Sequence, residues 1–306
     1  MNPFEILFDY AEQGELDDPA YGSYGRLGFP PPPEERPWIF SNFVQSLDGI
    51  ASLTGKHGSG FHISQSEEDR WLMDLLRAHA DALLVGVRTL TDEVEMRSYG
   101  PRGPVYRIVH PELAELRSRL GRKRELVIFV TGTGNLKLEN FKVFDGDLLD
   151  TAIVTTRAGA QRLVAQTSHP HVRVLAAGDG RWVDLSLAMV LLRLKLGVRY
   201  LLSEGGPTLN GHLSRAHLVD ERFLTVSPMD VGQTAPLDGD EVRYAIDIPL
   251  RLRPTSFAGA GLSKDEALWW RWMSCRKVGD HQFHRFRRRQ RMKTAEDAED
   301  AGQGSR

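Results

Sequence analysis

Short apolar runs that alternate with amphipathic stretches constrain the fold of this 306-residue chain more than any other feature. The apolar runs have the length of buried strands, and they fall at residues 38–45, 82–87, 126–130, 152–155, 172–176 and 200–202. Stretches with helical spacing stand between several of them, at residues 65–80, 112–120, 158–165 and 185–196. Because strands that alternate with helices form βαβ units, the pattern predicts an α/β fold: a mainly parallel central sheet with helices on both faces.

The last part of the core has a different pattern. Residues 222–227 have the composition of one more strand, and residues 266–273 and 277–287 predict an antiparallel hairpin. Gly279 and Asp280 are typical of its turn. Trp270 and Trp272 alternate as in a half-buried strand, which favours packing over cofactor contact. We therefore expect a C-terminal hairpin at the edge of the sheet.

The first predicted helix has a recognisable start. Ser64 precedes Glu67 by three residues, the spacing of a capping box. An apolar stripe follows at helical spacing, formed by Trp71, Leu72, Leu75 and Leu76. The pattern predicts a helix over residues 65–80, with Ser64 as its cap.

The two ends of the chain differ from the core, which we place at residues 37–285. Residues 1–36 contain a proline run, Pro30 to Pro33, and predict an extended arm. Residues 286–306 pass from a basic run into an acidic segment rich in Ala, Gly and Ser, which predicts a disordered charged tail. We interpret the basic run as a solvated exit segment rather than a phosphate site.

Composition excludes several classes of protein. The net charge of −2 gives no basic field for nucleic acid. A single cysteine, Cys275, excludes a disulfide framework and a thiolate zinc site. No apolar run reaches the roughly 20 residues of a membrane span, and the acidic start lacks the features of a signal peptide. We expect a cytoplasmic protein that binds no metal, membrane or nucleic acid.

The segment from Ser203 to Gly211, SEGGPTLNG, is the strongest indication of chemistry. An apolar strand ends there in a carboxylate, Glu204, and two glycines permit a sharp turn. Pro207 then suits the first turn of a helix, whose N–H groups can bind phosphate. The segment predicts a phosphate-binding turn; the alternative is a plain tight turn.

Two other segments accompany it. The first is NFVQSLDG at residues 42–49, followed by a glycine-rich stretch, where Asp48 before glycine is typical of a turn. The second joins a helix ending in LRA, with Arg77, to a strand ending in GVRTL, with Thr89. Taken alone, Arg77 could be an ordinary ion-pair residue.

In this order, the three segments resemble the reductase domain of riboflavin-biosynthesis deaminase-reductases. They resemble more closely the stand-alone pyrimidine reductases, which have a dihydrofolate-reductase-like fold, over about residues 36–285. The resemblance implies an NADPH-dependent reductase, with NADH left open. It also implies reduction of the ribosyl group of 5-amino-6-(5-phosphoribosylamino)uracil to the ribitylamino product. Relatives pair through edge strands, which implies a homodimer in which the hairpin is the contact surface.

The resemblance also implies roles for individual residues. Glu204 would contact the substrate, and Arg77 and Arg97 would hold its phosphate. Asp48 and Glu204 would be the catalytic carboxylates, although Asp48 is better suited to fixing its loop than to exchanging protons. The implied cofactor contacts are Val44, His62, Thr89, Asp92, Thr131, Gly205, Gly206, Pro207, Thr208 and Leu209.

The chain departs from this family at several points. His62 stands near the position of a tryptophan in relatives, and the stretch after Thr89 is shorter. No arginine follows residues 126–130, so Thr131, Thr133 and Lys137 remain for the 2′-phosphate of NADPH. One cysteine cannot complete the deaminase zinc signature, so we predict no deamination. Two alternatives stay open: a reductase of this fold acting on a pterin or another pyrimidine, and a non-catalytic nucleotide-binding protein.

Overall fold

The computed structural model describes residues 1–53, 60–93, 102–166, 169–232, 255–259 and 261–289. Within these ranges, ten strands form one sheet in the order β1-β9-β10-β8-β2-β7-β3-β4-β5-β6. The strands are β1 Glu5–Asp9, β2 Trp38–Gln45, β3 Ala82–Gly86, β4 Leu126–Thr131, β5 Asp150–Thr155, β6 Arg173–Ala176, β7 Tyr200–Ser203, β8 Glu221–Val226, β9 Trp270–Val278 and β10 His281–Arg288. The helices are α1 Phe61–Ser64, α2 Glu67–His79, α3 Val87–Glu93, α4 Pro111–Arg119, α5 Arg157–Gln166, α6 Leu185–Leu196 and α7 Pro207–Arg215.

The sheet has a parallel part and an antiparallel part. From β6 through β5, β4, β3, β7 and β2 to β8, each neighbouring pair is parallel. The pairs β8–β10, β10–β9 and β9–β1 are antiparallel. The predicted α/β fold, with a mostly parallel sheet and a C-terminal antiparallel hairpin, is confirmed. One consequence is that β2, β7 and β3 end side by side at the same edge of the sheet.

Helices pack on both faces of the sheet, as the alternation predicts. Leu83 and Val85 of β3 belong to one buried cluster, together with apolar side chains of α2, α4 and α5. Ala82 and Leu84 belong to the other cluster, together with side chains of α6 and α7. This alternation follows from the pleat, which sends successive side chains of a strand to opposite faces.

The cap of α2 differs from the prediction. Ser64 is the last residue of the short helix α1, and α2 begins at Glu67 with Ser66 as its N-cap. The Ser66 hydroxyl accepts a hydrogen bond of 3.1 Å from the Asp69 amide. The chain turns at Gln65, where φ is 46°, and this break between the helices moves the cap two residues onward.

The predicted N-terminal arm is wrong for much of its length. β1 pairs with β9 and forms the edge of the sheet, so the hairpin does not lie at the edge. The Arg276 guanidinium of β9 bonds the Asp9 carboxylate at 2.6 Å and the Tyr24 carbonyl at 2.7 Å. Four apolar side chains of the segment are buried in the same cluster as α2: Phe4, Tyr21, Tyr24 and Leu27. These four side chains therefore pack against the apolar side of α2.

The predicted start of the tail is also wrong. β10 continues to Arg288, so residues 286–288 belong to the sheet. Arg287 donates to Glu221 at 2.7 Å, and Arg288 lies 3.5 Å from Asp220. Part of the basic run therefore pairs with the buried carboxylates of Asp220 and Glu221 at the start of β8, because a fully buried Glu221 needs a counter-charge. Residues 290–306 lie outside the described residues.

The hairpin turns where the sequence predicts. Gly279 and Asp280 connect β9 to β10, and Gly279 has a φ of 55°, which favours glycine. The first strand begins at Trp270 rather than at residue 266. No described helix is long and apolar enough to cross a bilayer.

Candidate active site

The turn after β7 lies against the turn after β3. These strands are parallel neighbours, with Leu84 paired to Ser203. The Glu204 amide donates to the Leu84 carbonyl at 3.1 Å, and the Gly206 amide donates to the Thr89 hydroxyl at 3.1 Å. The EGGPT and GVRTL segments, predicted to act together, therefore meet in space.

The two glycines of this turn are required by its closeness to β3. A Cβ on Gly205 would lie 2.5 Å from Leu209 Cδ2 and 3.2 Å from the Gly86 nitrogen. A Cβ on Gly206 would lie 2.7 Å from the Thr89 hydroxyl. Larger residues would push the two turns apart, so the close contact of the turns requires glycine at both positions.

Helix α7 starts directly behind this turn. Gly206 is the N-cap residue of α7, and no side chain forms a capping hydrogen bond there. Pro207 occupies the first turn of the helix. Thr208 is exposed, and Pro207 and Leu209 are half-buried. The positive end of the helix dipole thus faces the edge where β3 and β7 end, an arrangement that favours a phosphate group.

Glu204 and Arg77 form a buried ion pair beside the turn. Arg77 Nε donates to Glu204 Oε1 at 2.9 Å, and Arg77 Nη2 donates to Oε2 at 2.6 Å. Each side chain is only 10% exposed. Burial raises the pKa of Glu204, and the Arg77 guanidinium opposes that rise. The two-point contact favours the charged form of both groups, because each oxygen accepts from a separate nitrogen.

Asp74 continues this network below Arg77. Its carboxylate is fully buried and accepts from Arg77 Nη1 at 3.3 Å and from the Val109 amide at 2.8 Å. It also meets the His110 Nδ1 at 2.8 Å and the His110 amide at 3.3 Å. Sequence reasoning missed Asp74. A charged residue between the apolar positions of α2 is the signal that could have found it.

A second carboxylate on α2 was also missed. Asp69 is half-buried and faces the hydroxyls of Thr225 and Ser64, and burial raises its pKa. The charge of Asp69 in turn raises the pKa of Glu204. Asn42 lies on β2, next to β8, and its Oδ1 is buried without a partner among the described residues. The site is therefore rich in hydrogen-bond acceptors.

Asp48 fixes the loop that follows β2. Its carboxylate accepts from the Ser46 hydroxyl, from the Gly232 amide at 2.6 Å and from the Val231 amide at 3.3 Å. The Ser46 hydroxyl, together with these amides, holds the pKa of Asp48 below its usual range. The geometry agrees with a loop-fixing residue, and proton exchange by Asp48 stays a prediction.

The remaining predicted cofactor residues are dispersed. Val44 lies near the end of β2 and packs against Gly60. A Cβ added to Gly60 would be 3.0 Å from the Cγ1 of Val44. Thr131 ends β4, and its hydroxyl accepts from the Gly134 amide at 3.3 Å. His62 is half-buried in α1. Asp92 is exposed on α3 and lies 4.0 Å from Arg88.

Two further predictions concern a phosphate and a metal. Arg97, predicted to hold the substrate phosphate, lies outside the described residues. Among the described residues, no three His, Cys, Asp or Glu side chains are placed to hold a metal ion.

Comparisons with known proteins identify the family of the chain. Residues 37–261 match the model of the RibD C-terminal domain family. The 2,5-diamino-6-ribosylamino-4(3H)-pyrimidinone 5′-phosphate reductase of Archaeoglobus fulgidus is 31% identical over 199 residues, covering 64% of this chain and 83% of that protein. The reductase of the same name from Methanothermobacter thermautotrophicus is 31% identical over 224 residues, covering 71% of this chain and 92% of that protein.

Solved structures show the same fold. A pyrimidine reductase-like protein from Corynebacterium diphtheriae has a TM-score of 0.60 at 18% identity, covering 91% of this chain and 97% of that one. RibD from Acinetobacter baumannii has a TM-score of 0.58 at 16% identity over 83% of this chain. The chain spans 58% of the length of that RibD. The predicted family is confirmed: the chain belongs to the RibD C-terminal domain family and is an oxidoreductase of the pyrimidine reductase type.

Proposed function

We propose that the protein transfers a hydride from NADPH to C1 of the ring-opened ribosyl group of a ribosylaminopyrimidine 5′-phosphate. The product carries a ribitylamino group in place of the ribosylamino group. The observation that supports this reaction best is the placing of the Gly205–Gly206 turn against Thr89, directly beside the Glu204–Arg77 pair. A phosphate-binding turn and a polar substrate contact thus share one edge of the sheet.

Two substrates fit this proposal. One is 5-amino-6-(5-phosphoribosylamino)uracil, which the sequence resemblance implies. The other is the 2,5-diamino-4(3H)-pyrimidinone counterpart, for which the two relatives at 31% identity are named. We favour the second, since those relatives match most of their own length.

The residues at the edge of the sheet fit a dinucleotide cofactor. The glycine turn leaves room for a close approach, and the uncapped start of α7 offers amide donors to a pyrophosphate. Thr131 ends β4, two strands away from β7 along the same edge, and its hydroxyl would hold the 2′-phosphate. NADPH supplies the hydride when bound. We prefer NADPH to NADH on the strength of the family resemblance.

The task of the protein in this reaction is alignment. Glu204, fixed by Arg77, holds the pyrimidine, while Val44 and the turn after β7 hold the nicotinamide end and the phosphates. When the hydride donor and C1 are both bound in line, the transfer no longer depends on a chance encounter of two free molecules. This positioning lowers the activation barrier of hydride transfer. Asp48 keeps the loop after β2 in place during the reaction.

The test measures turnover with both pyrimidines. Purified protein, NADPH and each substrate are mixed, nicotinamide absorbance is followed, and a product heavier by two hydrogens is sought by mass spectrometry. We expect Glu204→Gln to reduce kcat/KM at least tenfold, because it loses a charged acceptor. Glu139→Gln, an exposed position, is the matched control.

The outcomes separate the alternatives. NADPH binding without turnover of either pyrimidine would contradict the proposed reaction, and turnover of a dihydropterin instead would identify a reductase with another substrate. No nicotinamide binding would favour a non-catalytic protein.

We also propose that the protein acts as a homodimer in the cytoplasm. Aromatic rings of β1, β9 and β10 contact one another on one face of the sheet. The ring centroid of Trp272 lies 4.7 Å from that of Phe8 and 5.3 Å from that of His284. Trp272 is 47% exposed and Tyr10 is 77% exposed. An exposed aromatic face of this kind is typical of an interface, and a second copy would cover it.

A further inference from the structure

We propose that the protein has a second small-molecule site, at the edge of the sheet where β7 begins, and that this site takes a planar aromatic carboxylate. The site is a cavity of about 610 Å³ between the segment that precedes β2 and the rest of the core. Small-molecule sites have volumes of about 300–1,000 Å³, so the cavity has room for two fused rings. The site is independent of the proposed reaction.

The cavity lies away from the candidate active site. Tyr200, which lines the cavity, is the first residue of β7, and Glu204 follows the last residue of that strand. The cavity and the turn after β7 are therefore at opposite ends of one strand. A molecule bound in the cavity does not overlap with the Gly205–Gly206 turn.

Two glycines that cross each other form one wall of the cavity. A Cβ on Gly14 would lie 2.5 Å from the Leu27 carbonyl oxygen, and a Cβ on Gly28 would lie 2.6 Å from the Gly14 nitrogen. The two stretches of backbone thus touch without a side chain between them. Leu16 and Leu27 add apolar side chains to the same wall. The close crossing requires glycine at both positions, so this wall is backbone that side-chain rotation cannot rearrange.

Aromatic rings supply another part of the lining. The ring centroid of Phe29 lies 5.9 Å from that of Tyr200 and 6.0 Å from that of His79. His79 is neutral in the folded protein, since burial lowers its pKa to about 3. Aromatic side chains at such separations favour edge-on or offset contacts with a further ring. A flat aromatic ligand is therefore complementary to this lining.

Arg122 supplies the polar contact. Its Nη1 donates to Asp81 Oδ1 at 2.7 Å, and its guanidinium carbon lies 4.8 Å from the centroid of the Tyr200 ring. The Nε atom is buried and has no hydrogen-bond partner among the described residues. An unpaired buried donor costs free energy, which an acceptor oxygen of a ligand would recover. Because a guanidinium binds a carboxylate through two neighbouring N–H groups, a carboxylate is the acceptor that fits best.

The charges around the cavity favour the same ligand. The charges that act on His79 come from Arg122 and Arg285, and both are positive. Asp81 is held by the Arg199 and Tyr200 amides at 2.8 Å each, so it stays beside Arg122 and fixes the guanidinium. Glu15, which also lines the cavity, is exposed to solvent and its charge is screened. An anionic ring is therefore favoured over a cationic one.

The experiment compares two probes that share a ring system and differ in charge. Calorimetry on the full chain measures the binding of 2-naphthoate and of 2-naphthylmethylamine. One variant is Arg122→Lys, which keeps the charge beside Asp81 but loses the Nε donor. The other is Leu120→Trp, which fills the cavity from its lining. Lys123→Gln, an exposed cation next to Arg122, is the matched control.

We expect the wild-type protein to bind naphthoate at least about tenfold more tightly than the amine. Arg122→Lys and Leu120→Trp should each weaken naphthoate binding about tenfold, and Lys123→Gln should stay within about twofold of the wild-type protein. Naphthoate should also raise the melting temperature of the wild-type protein and of the control more than that of either variant, because a ligand that binds only the folded state stabilises it. If Leu120→Trp does not fold, as judged by thermal melting without the probe, Arg122→Lys decides.

Three results would overturn the inference. The first is a wild-type protein that does not bind naphthoate at millimolar concentration. The second is equal binding of naphthoate and the amine, since it would show that Arg122 does not select the ligand. The third is unchanged naphthoate binding in both variants, which would place the probe elsewhere on the protein. None of these results depends on NADPH or on turnover, so the proposed reaction is tested separately.

Discussion

Gly205 shows at the scale of a single residue how the candidate site depends on close packing. Its missing side chain lets the turn after β7 approach the Gly86 amide and the Leu209 side chain. Thr89 then reaches the Gly206 amide at 3.1 Å. A small change at this position should disturb both the local fold and the binding of a cofactor.

We predict that Gly205→Ala lowers the free energy of unfolding by about 1–3 kcal/mol and weakens NADPH binding. The reason is that the new Cβ would lie 3.2 Å from a backbone nitrogen that cannot rotate away. Thermal melting and fluorescence titration with NADPH measure the two effects. Gly180→Ala is the control, since no atom lies within 4 Å of a Cβ there. Equal melting temperatures and equal NADPH affinities of the two variants would contradict the prediction.

The sequence predicts some of these residues and not others. The Gly205–Gly206 turn and Pro207 follow from local patterns: strand, glycine and helix start. Thr89 follows only from the family resemblance. The contact of Arg77 with Glu204 does not, because the two are 127 positions apart and meet only through the order of strands in the sheet. Asp74 was missed for a related reason, since its partners lie in a segment without periodicity.

At the scale of the element, β1 changes the architecture of the chain. It pairs with β9, which lies more than 260 positions away, and covers what would be an exposed edge. A five-residue strand with no alternating pattern gives little local signal. The predicted arm fails for that reason, whereas α2, α4, α5, α6 and the parallel strands have strong periodicity and were predicted from it.

We predict that Asp9→Asn lowers the free energy of unfolding by about 3 kcal/mol, because it leaves the buried Arg276 guanidinium without its counter-charge. Arg276 is 3% exposed and Asp9 is 12% exposed, and they meet at 2.6 Å. Urea denaturation measures the change.

Glu5→Gln on the same strand is the control. Glu5 meets Lys277 at 3.1 Å, but both side chains are largely exposed, at 62% and 44%, so its loss should cost under about 1 kcal/mol. An equal decrease in the free energy of unfolding of the two variants would show that the Asp9–Arg276 pair contributes no more than a surface ion pair.

At the scale of the whole molecule, the antiparallel part of the sheet carries aromatic side chains, of which Tyr10 and Trp272 are exposed. Tyr10, Phe8, Trp272, His284 and Phe286 form a continuous row of rings there. We predict that Trp272→Ser shifts the protein from dimer to monomer, as measured by sedimentation equilibrium. Trp182→Ser, at a tryptophan that is 72% exposed near α6, should leave the dimer intact. A wild-type monomer would contradict the proposed dimer.

Acid sensitivity of the whole fold should follow from His79, which is buried where the N-terminal segment meets α2. Burial lowers the pKa of His79 from 6.5 to about 3, and the Arg122 and Arg285 charges act in the same direction. Its Nε2 lies 3.1 Å from the Tyr21 hydroxyl, so the ring and the hydroxyl share a hydrogen bond. The unfolded chain therefore binds a proton between pH 6.5 and 3 that the folded chain does not.

Because the unfolded state binds more protons in this window, stability is complete above pH 6.5 and falls as the pH decreases toward 3. His79 alone should lower the free energy of unfolding by about 2 kcal/mol between pH 7.5 and pH 5. His79→Gln keeps an acceptor for Tyr21 but cannot titrate, so its unfolding free energy should depend less on pH by that amount. Urea denaturation at both pH values measures the difference, and His212→Gln, an exposed position on α7, should retain the wild-type dependence. An unchanged dependence in His79→Gln would show that acid acts on the fold through other groups.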